Sequence, residues 1–272
     1  MDRIGCVGYL NARPLVEGLG GRLVLDHPSA LVPALRAGDL DVALLPVRAI
    51  LDLDDPTVVD GAGIASAGPV RSVLLAHRGP LERLTRVALD PASVTSAHLL
   101  RVVLERFRGM HPYYVPGSDP ADLTPPADGE GVLKIGDQAI AFHARHAGEL
   151  DFVDLGEAWG AATSLPFVYA LWCFRPGLPE PAPVAGRLRA ALERGLAAID
   201  RLVADQSDPA VARDYLTRHI RHRIGEPEKR GLVRFADELQ YSVYNFELAN
   251  VERLTDVTWR MRQAVNTQGF PE

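Results

Sequence analysis

The chain has 272 residues, 47% of them apolar, and its 35 acidic against 29 basic side chains leave a formal charge of −6. That length supports one large or two modest cores, and an acidic balance without clustered Lys or Arg argues against nucleic acid as a partner. The longest apolar runs, such as 135–142 and 166–174, are too short to span a bilayer, so no membrane partner is expected.

Residues 1–20 contain Arg3, Arg13 and Glu17 with neither an unbroken apolar core nor a small-residue cleavage site. No export signal is expected, and the location expected is cytoplasmic. Cys6 and Cys173 sit inside apolar runs and read as small buried hydrophobes in a reducing compartment. The spacing predicts a strand over 3–9 and a short helix over 13–19, with Pro14 tolerated in its first turn. A strand over 22–26 precedes a helix over 31–37, for which Ser29 offers an N-cap and Gly38 a stop. The apolar run 41–45 is a buried strand, followed by Pro46 and a short helix over 47–51. This β-α-β-α-β order marks a parallel sheet.

Further strands are expected over 70–77 and 86–89, the latter running through Asp90 into a strongly periodic helix over 97–107. The Pro-, Asp- and Gly-rich stretch 116–131 reads as a loop. A strand over 132–135, a helix over 138–146, an amphipathic run from 152 to 164 and a long strand over 166–174 follow. Beyond Pro183 the β signal ends, and helices are expected over 188–204, 209–219, 228–244 and 247–264. The fold class expected is therefore α/β, with two lobes and a helical C-terminal tail.

Open α/β sheets bind ligands at the carboxyl ends of their strands. Tyr9 and Asn11 follow the first strand there, Pro46 and Val47 the third, while Ser66, Arg71 and Ser72 flank the next. Gly136 and Asp137 open a helix, where Asp137 also suits a cap. Ser93, Thr95 and Ser96 bring three hydroxyls to a helix N-terminus, which fits either ordinary capping or an anion site. Arg71, among Val70 and Val73, fits either a bidentate carboxylate clamp or a strand-end side chain reaching water. His143 and His146 lie three apart without a third ligand, so no metal site is expected. Trp159 and Trp172 read as core. Phosphate loop, dinucleotide fingerprint and nucleophile elbow are all missing from the sequence, and no cofactor is expected.

Six stretches carry a resemblance: "RIGCVGYLNARPL", "LRAGDLDVALLPV", "IASAGPVRSVLL", "LDPASVTSAHLLRVVL", "KIGDQAI" and "DLGEAWGAATSLPFVYALW". Taken together, in this order, they resemble the chorismate dehydratase family of the futalosine route to menaquinone, from Arg3 to Trp172 and more weakly over the tail. The resemblance implies a periplasmic-binding-protein type II fold. One lobe would hold 1–88 and 169–272, the other 89–168, with hinges near Leu89 and Val168. It also implies a hydro-lyase that removes water from chorismate, a small carboxylate, to give 3-[(1-carboxyvinyl)oxy]benzoate. Oligomeric state is not legible.

In that chemistry, loss of the C3 proton leaves a carbanion delocalised into the ring carboxylate, and expulsion of the C4 hydroxyl makes the ring aromatic. Asn11 becomes the candidate catalytic residue, because an amide donates to an oxyanion or accepts from a hydroxyl without adding charge. Tyr9, Pro46, Val47, Ser66, Arg71, Ser72, Ser93, Thr95, Ser96, Gly136 and Asp137 are the candidate substrate-binding residues. His98 and Lys134 have no claim to the cleft, which leaves the substrate's enolpyruvyl carboxylate as the candidate base. Two rival readings share the fold: a non-catalytic binding protein for a small carboxylate, and the sister dihydroxynaphthoate-forming lyase, whose base would be a cleft His.

Overall fold

The computed structural model describes residues 2–20, 22–90, 93–239 and 258–260. The chain opens with β1 (Arg3–Cys6), a 3-10 turn at Leu10–Ala12 and α1 (Arg13–Val16). It continues through β2 (Arg22–Leu25), α2 (Pro28–Ala37), β3 (Val42–Pro46) and α3 (Val47–Leu51). β1 pairs in parallel with both β2 and β3, as the alternating apolar runs predict. β3 buries Val42, Ala43, Leu44 and Leu45 in succession, the continuous apolar run that a strand covered on both faces requires. His27 rather than Ser29 caps α2: its ring nitrogen accepts from the Ser29 N–H, and Pro28 takes the first helical position.

β4 (Thr57–Ser66) is a strand that the periodicity does not predict. Gly61 and Gly63 interrupt its apolar pattern, and the neighbouring strand explains Gly63: a Cβ there would lie 2.7 Å from the Ala170 carbonyl oxygen. The chain then crosses to a second sheet and forms β5 (Val73–His77), β6 (Arg86–Leu89) and α4 (Val94–Arg101), which continues as a π-helical turn over Val102–Phe107. β7 (Tyr113–Pro116), β8 (Glu130–Ile135), α5 (Gly136–His146) and β9 (Asp151–Asp154) complete it, with strand order β7-β6-β8-β5-β9.

The first crossing therefore lies between Ser66 and Val73, which corrects the expectation of a hinge near Leu89. β5 and β6 both hydrogen-bond to β8, so residues 73–89 belong to the second sheet. Asp154 pins the crossing. Its carboxylate accepts from the backbone N–H groups of Val70 (3.0 Å) and Arg71 (2.7 Å), and also caps α6 (Leu155–Thr163) through Gly156 and Glu157.

From α6 the chain returns to the first sheet, where β10 (Phe167–Phe174) inserts antiparallel between β3 and β4. The helical tail follows as α7 (Pro181–Ala197), α8 (Ile199–Leu202), α9 (Pro209–Asp214) and α10 (Glu226–Glu238). β11 (Thr258–Arg260) then pairs antiparallel with β4, completing the order β11-β4-β10-β3-β1-β2. That strand corrects the expected helix over 247–264 and the expected end of β structure at Pro183. The rest of that helix, and residues 240–244 of the one before it, lie outside the described residues.

The tail is part of the first layer's core. Phe235 of α10 meets Phe167 (4.8 Å between ring centroids) and Trp159 (6.0 Å), both edge-on, and Trp159 and Trp172 are fully buried as expected. Gly231 lets α10 approach this closely, because a Cβ there would run into the Pro166 carbonyl oxygen. Gly231→Ala is expected to lower the urea unfolding midpoint, at a cost of roughly 1–3 kcal/mol for overpacking. An unchanged midpoint would mean that α10 does not dock on Pro166.

Candidate active site

The strands of the two sheets bring their functional ends to one place. β1, β3, β4, β6 and β8 end there, while β5 and β10, running the opposite way, begin there. The loops at this edge line a half-open cavity of about 90 Å³. Tyr9, Asn11, Pro46, Ser72, Ser93, Thr95, Ser96 and Gly136 all line it, at the sheet edge where the strand-end rule expects a ligand. The remaining surface is largely apolar, with Val7, Leu44, Ile64, Val70, Val73 and Ile135 among its contributors.

Other candidates do not line the cavity. Val47 is packed in the core. Ser66 is buried behind the wall, its hydroxyl paired with the Tyr169 hydroxyl at 3.1 Å. Arg71 is corrected most sharply. It occupies the left-handed region at φ 61, and its guanidinium is 59% exposed and reaches Asp214 at 3.4 Å. Its side chain thus turns outward while its backbone N–H is held by Asp154, and the proposed clamp on a cavity carboxylate has no geometric basis.

Asp137 stands just behind the lining at the start of α5. Both its carboxylate oxygens lie 3.3 Å from the Leu10 N–H, so it braces the turn that carries Asn11. Burial pushes its pKa up, against the lowering effects of the Leu10 N–H and Arg13. Tyr9 packs its ring over Gly136, and burial, with the charges of Asp90 and Asp137, raises its phenol pKa. Gly136 is needed in this turn because it sits at φ 60.

Asn11 lies within the 3-10 turn at Leu10–Ala12 and caps no helix: the N-cap positions of that turn and of α1 fall on Tyr9 and Ala12. Its Nδ2 donates to the Tyr215 hydroxyl (3.2 Å), which donates to Ser72 Oγ (2.8 Å), and its backbone carbonyl accepts from His222 Nε2 (2.8 Å). Its Oδ1 is buried with no protein partner. Ser93 precedes α4 without capping it through its side chain, and its Oγ is likewise buried and unpartnered. Thr95 Oγ1 accepts from the Arg48 N–H at 3.1 Å, which leaves its own hydroxyl proton available. Buried polar atoms without partners are rare in folded proteins, and these two belong to residues that line the same cavity.

The site's electrostatics come from neutral groups. Among the described residues no Lys, Arg or His lines the cavity. A bound anion would meet hydroxyls, an amide and the first turns of α4 and α5, whose N–H groups have no intrahelical partner. No group of His, Cys, Asp and Glu among the described residues is arranged to hold a metal. His146 is engaged by Glu149 (2.9 Å) and the Leu123 carbonyl (2.8 Å), and His143 packs against Phe152. Among the described residues no helix is long and apolar enough to cross a membrane.

Tyr169, Tyr215 and His222 are the site residues that sequence reasoning missed. Tyr215 falls inside a run read only as a helix, where an aromatic side chain is indistinguishable from core. His222 follows that run with no pattern around it.

Two sheets meeting at a shared cavity, with a helical tail built onto the first, define a two-lobed protein of periplasmic-binding-protein-like fold. A crystal structure of a protein from Archaeoglobus fulgidus superposes with a TM-score of 0.69 at 16% identity, covering 88% of this chain and 96% of that one. A Candida albicans gene product, described as having the generic periplasmic binding protein fold, superposes with a TM-score of 0.58 at 12% identity, covering 88% and 89%. Residues 3–241 match the family described as menaquinone biosynthesis. A chorismate dehydratase of Thermus thermophilus is 32% identical over 259 residues, which covers 87% of this chain and 94% of that protein. The chain belongs to the menaquinone-biosynthesis family.

Proposed function

We propose that the protein is a chorismate dehydratase, a cytoplasmic hydro-lyase that supplies 3-[(1-carboxyvinyl)oxy]benzoate to the futalosine route. The observation that carries this reading is the cavity lining: Asn11 and Ser93, whose Oδ1 and Oγ have no protein partner, line a space to which the described residues contribute no cationic side chain. Neutral hydroxyl donors such as Ser93 and Thr95 stabilise developing negative charge without holding the product anion as tightly as a fixed cation would, while Asn11 Oδ1 offers an acceptor for a substrate hydroxyl.

In the proposed reaction the enolpyruvyl carboxylate takes the C3 proton. The C–H electron pair spreads through the diene toward the ring carboxylate, and the C4–O bond then breaks as its electrons leave with the hydroxyl. The carboxyl proton passes to that hydroxyl, so water departs and the ring becomes aromatic. Ser93, Thr95 and Ser96 with the first turn of α4 would bind a carboxylate, and Asn11 would orient the C4 hydroxyl. Movement of the two sheets toward each other would exclude water during the step.

The sister lyase reading loses support because its base would be a His in the cleft. His222 stands behind Asn11 with Nε2 turned onto the Asn11 carbonyl, and no His lines the cavity among the described residues. Incubation with chorismate, followed by NMR for the aromatic product, tests the proposal. Binding without turnover would leave a carboxylate-binding protein, and neither binding nor turnover would overturn the substrate assignment. Ser93→Ala should weaken chorismate binding by about ten- to a hundredfold, the cost of one hydrogen bond to a charged group. Arg71→Ala should leave affinity unchanged in the same calorimetric titration, since its side chain points to Asp214.

A further inference from the structure

Tyr215 comes from the helical tail yet bonds two residues that line the site. It opens a π-helical turn, Tyr215–His219, directly after α9, and is buried to 2% exposure. Such turns inside helices frequently mark functional positions. Its hydroxyl is the meeting point of two cavity residues from different parts of the fold, Asn11 after β1 and Ser72 at the crossing into the second sheet.

Counting donors gives the bonds a direction. Asn11 Nδ2 can only donate, so the Tyr215 oxygen accepts there and its single proton goes to Ser72 Oγ. Ser72 then keeps its own proton. Ser72 is itself buried and lines the cavity, so that proton is left free for a ligand there. The same bond holds the Asn11 amide so that Oδ1, which has no protein partner, is presented as an acceptor. Without the phenol both side chains could rotate, and neither end of the relay would have a defined polarity.

We propose that Tyr215 is a positioning residue for the reaction, acting through Asn11 and Ser72 without touching substrate. The inference rests on the dehydratase reading for its kinetic test. It extends that reading by making the tail part of the catalytic apparatus: the two walls of the cavity are held in register by a residue that follows both in sequence. Burial keeps the phenol protonated across the working range, so the relay does not switch with pH.

The kinetic test compares Tyr215→Phe, Ser72→Ala and the double variant in chorismate turnover. Tyr215→Phe should retain cooperative urea unfolding and lower kcat by roughly tenfold to a hundredfold with KM little changed, as misorientation of reacting groups does. In the Ser72→Ala background it should cost clearly less than in the parent, because one of the two groups it orients is gone and only Asn11 remains. Parental kcat in Tyr215→Phe, or losses that simply multiply in the double variant, would overturn the proposal.

A second readout needs no turnover. The Asn11 side-chain amide resonances, assigned by their loss in Asn11→Asp, should shift on Ser72→Ala because the Tyr215 hydroxyl joins the two residues. Unmoved resonances overturn the relay even should Tyr215→Phe fail to fold. A parent protein inert toward chorismate would overturn the dehydratase reading instead, and the amide resonances would still decide on Tyr215.

Discussion

Asn11→Asp is expected to fold and to lose nearly all turnover of chorismate. The side chain keeps its size, and the turn around it keeps its backbone contacts, the bond from His222 to the Asn11 carbonyl and those from the Leu10 N–H to Asp137. What changes is the hydrogen-bond logic. Asn11 donates through Nδ2 to Tyr215, and a carboxylate has no proton to donate. Asp would accept from the Tyr215 hydroxyl and draw that proton away from Ser72. It would also set a fixed negative charge against a dianionic substrate, in a cavity with no cationic side chain among the described residues to offset it. Removal of one preorganised group of this kind costs about 10²–10³ in kcat, and the inverted charge should place the variant at the upper end. Steady-state turnover beside a urea unfolding curve checks both halves. Near-parental turnover would return Asn11 to a purely local role in its turn.

The second large effect is on stability below neutral pH. His222 is 3% exposed, and its Nε2 donates to the Asn11 carbonyl at 2.8 Å. Burial, with a smaller contribution from Arg223, pushes its pKa from 6.5 down to about 4, against the opposing pull of the Asn11 carbonyl. The unfolded chain therefore takes up the proton first. The stability contributed by neutral His222 is complete above the unfolded pKa of 6.5 and is lost as pH falls toward 4. At 1.36 kcal/mol for each pH unit in that window, the full loss is roughly 3 kcal/mol.

The window separates this group from the carboxylates. Asp41, held by Arg3 and Arg175 at a pKa of about 2, begins to cost stability only below its ordinary value of 3.8. His98, also lowered by burial, costs stability in the same direction as pH falls, so the comparison is made with a variant. His222→Gln keeps a donor for the Asn11 carbonyl but cannot titrate. Urea unfolding at pH 7 and pH 4.5 should show a fall in parent stability about 2–3 kcal/mol larger than in His222→Gln. Equal falls in both proteins would place His222 in a site that tolerates its charge.

The sequence by itself determined the order β1-α1-β2-α2-β3 and the residues at its strand ends, because both follow from local patterns. Apolar runs of strand length alternate with helical spacing, and polar residues at the carboxyl ends of such strands meet wherever a sheet forms. Tyr9, Asn11, Pro46 and the hydroxyls opening α4 are therefore legible in the sequence as strand-end residues, and all of them line the cavity. β4 was not found, since its glycines serve the close approach of β10, a strand about a hundred residues later. The crossing at 66–73 was missed because sheet membership is a pairing between strands and leaves no mark on β5 itself. Arg71 was misread for a related reason: its local neighbours are apolar, but Asp154 and Asp214, from distant segments, hold its backbone and its side chain. Only the tertiary structure brought Tyr215 and His222 to Asn11, across 204 and 211 residues of chain. Hydrogen bonds over such separations depend on where the tail packs, and no periodicity near either residue encodes that.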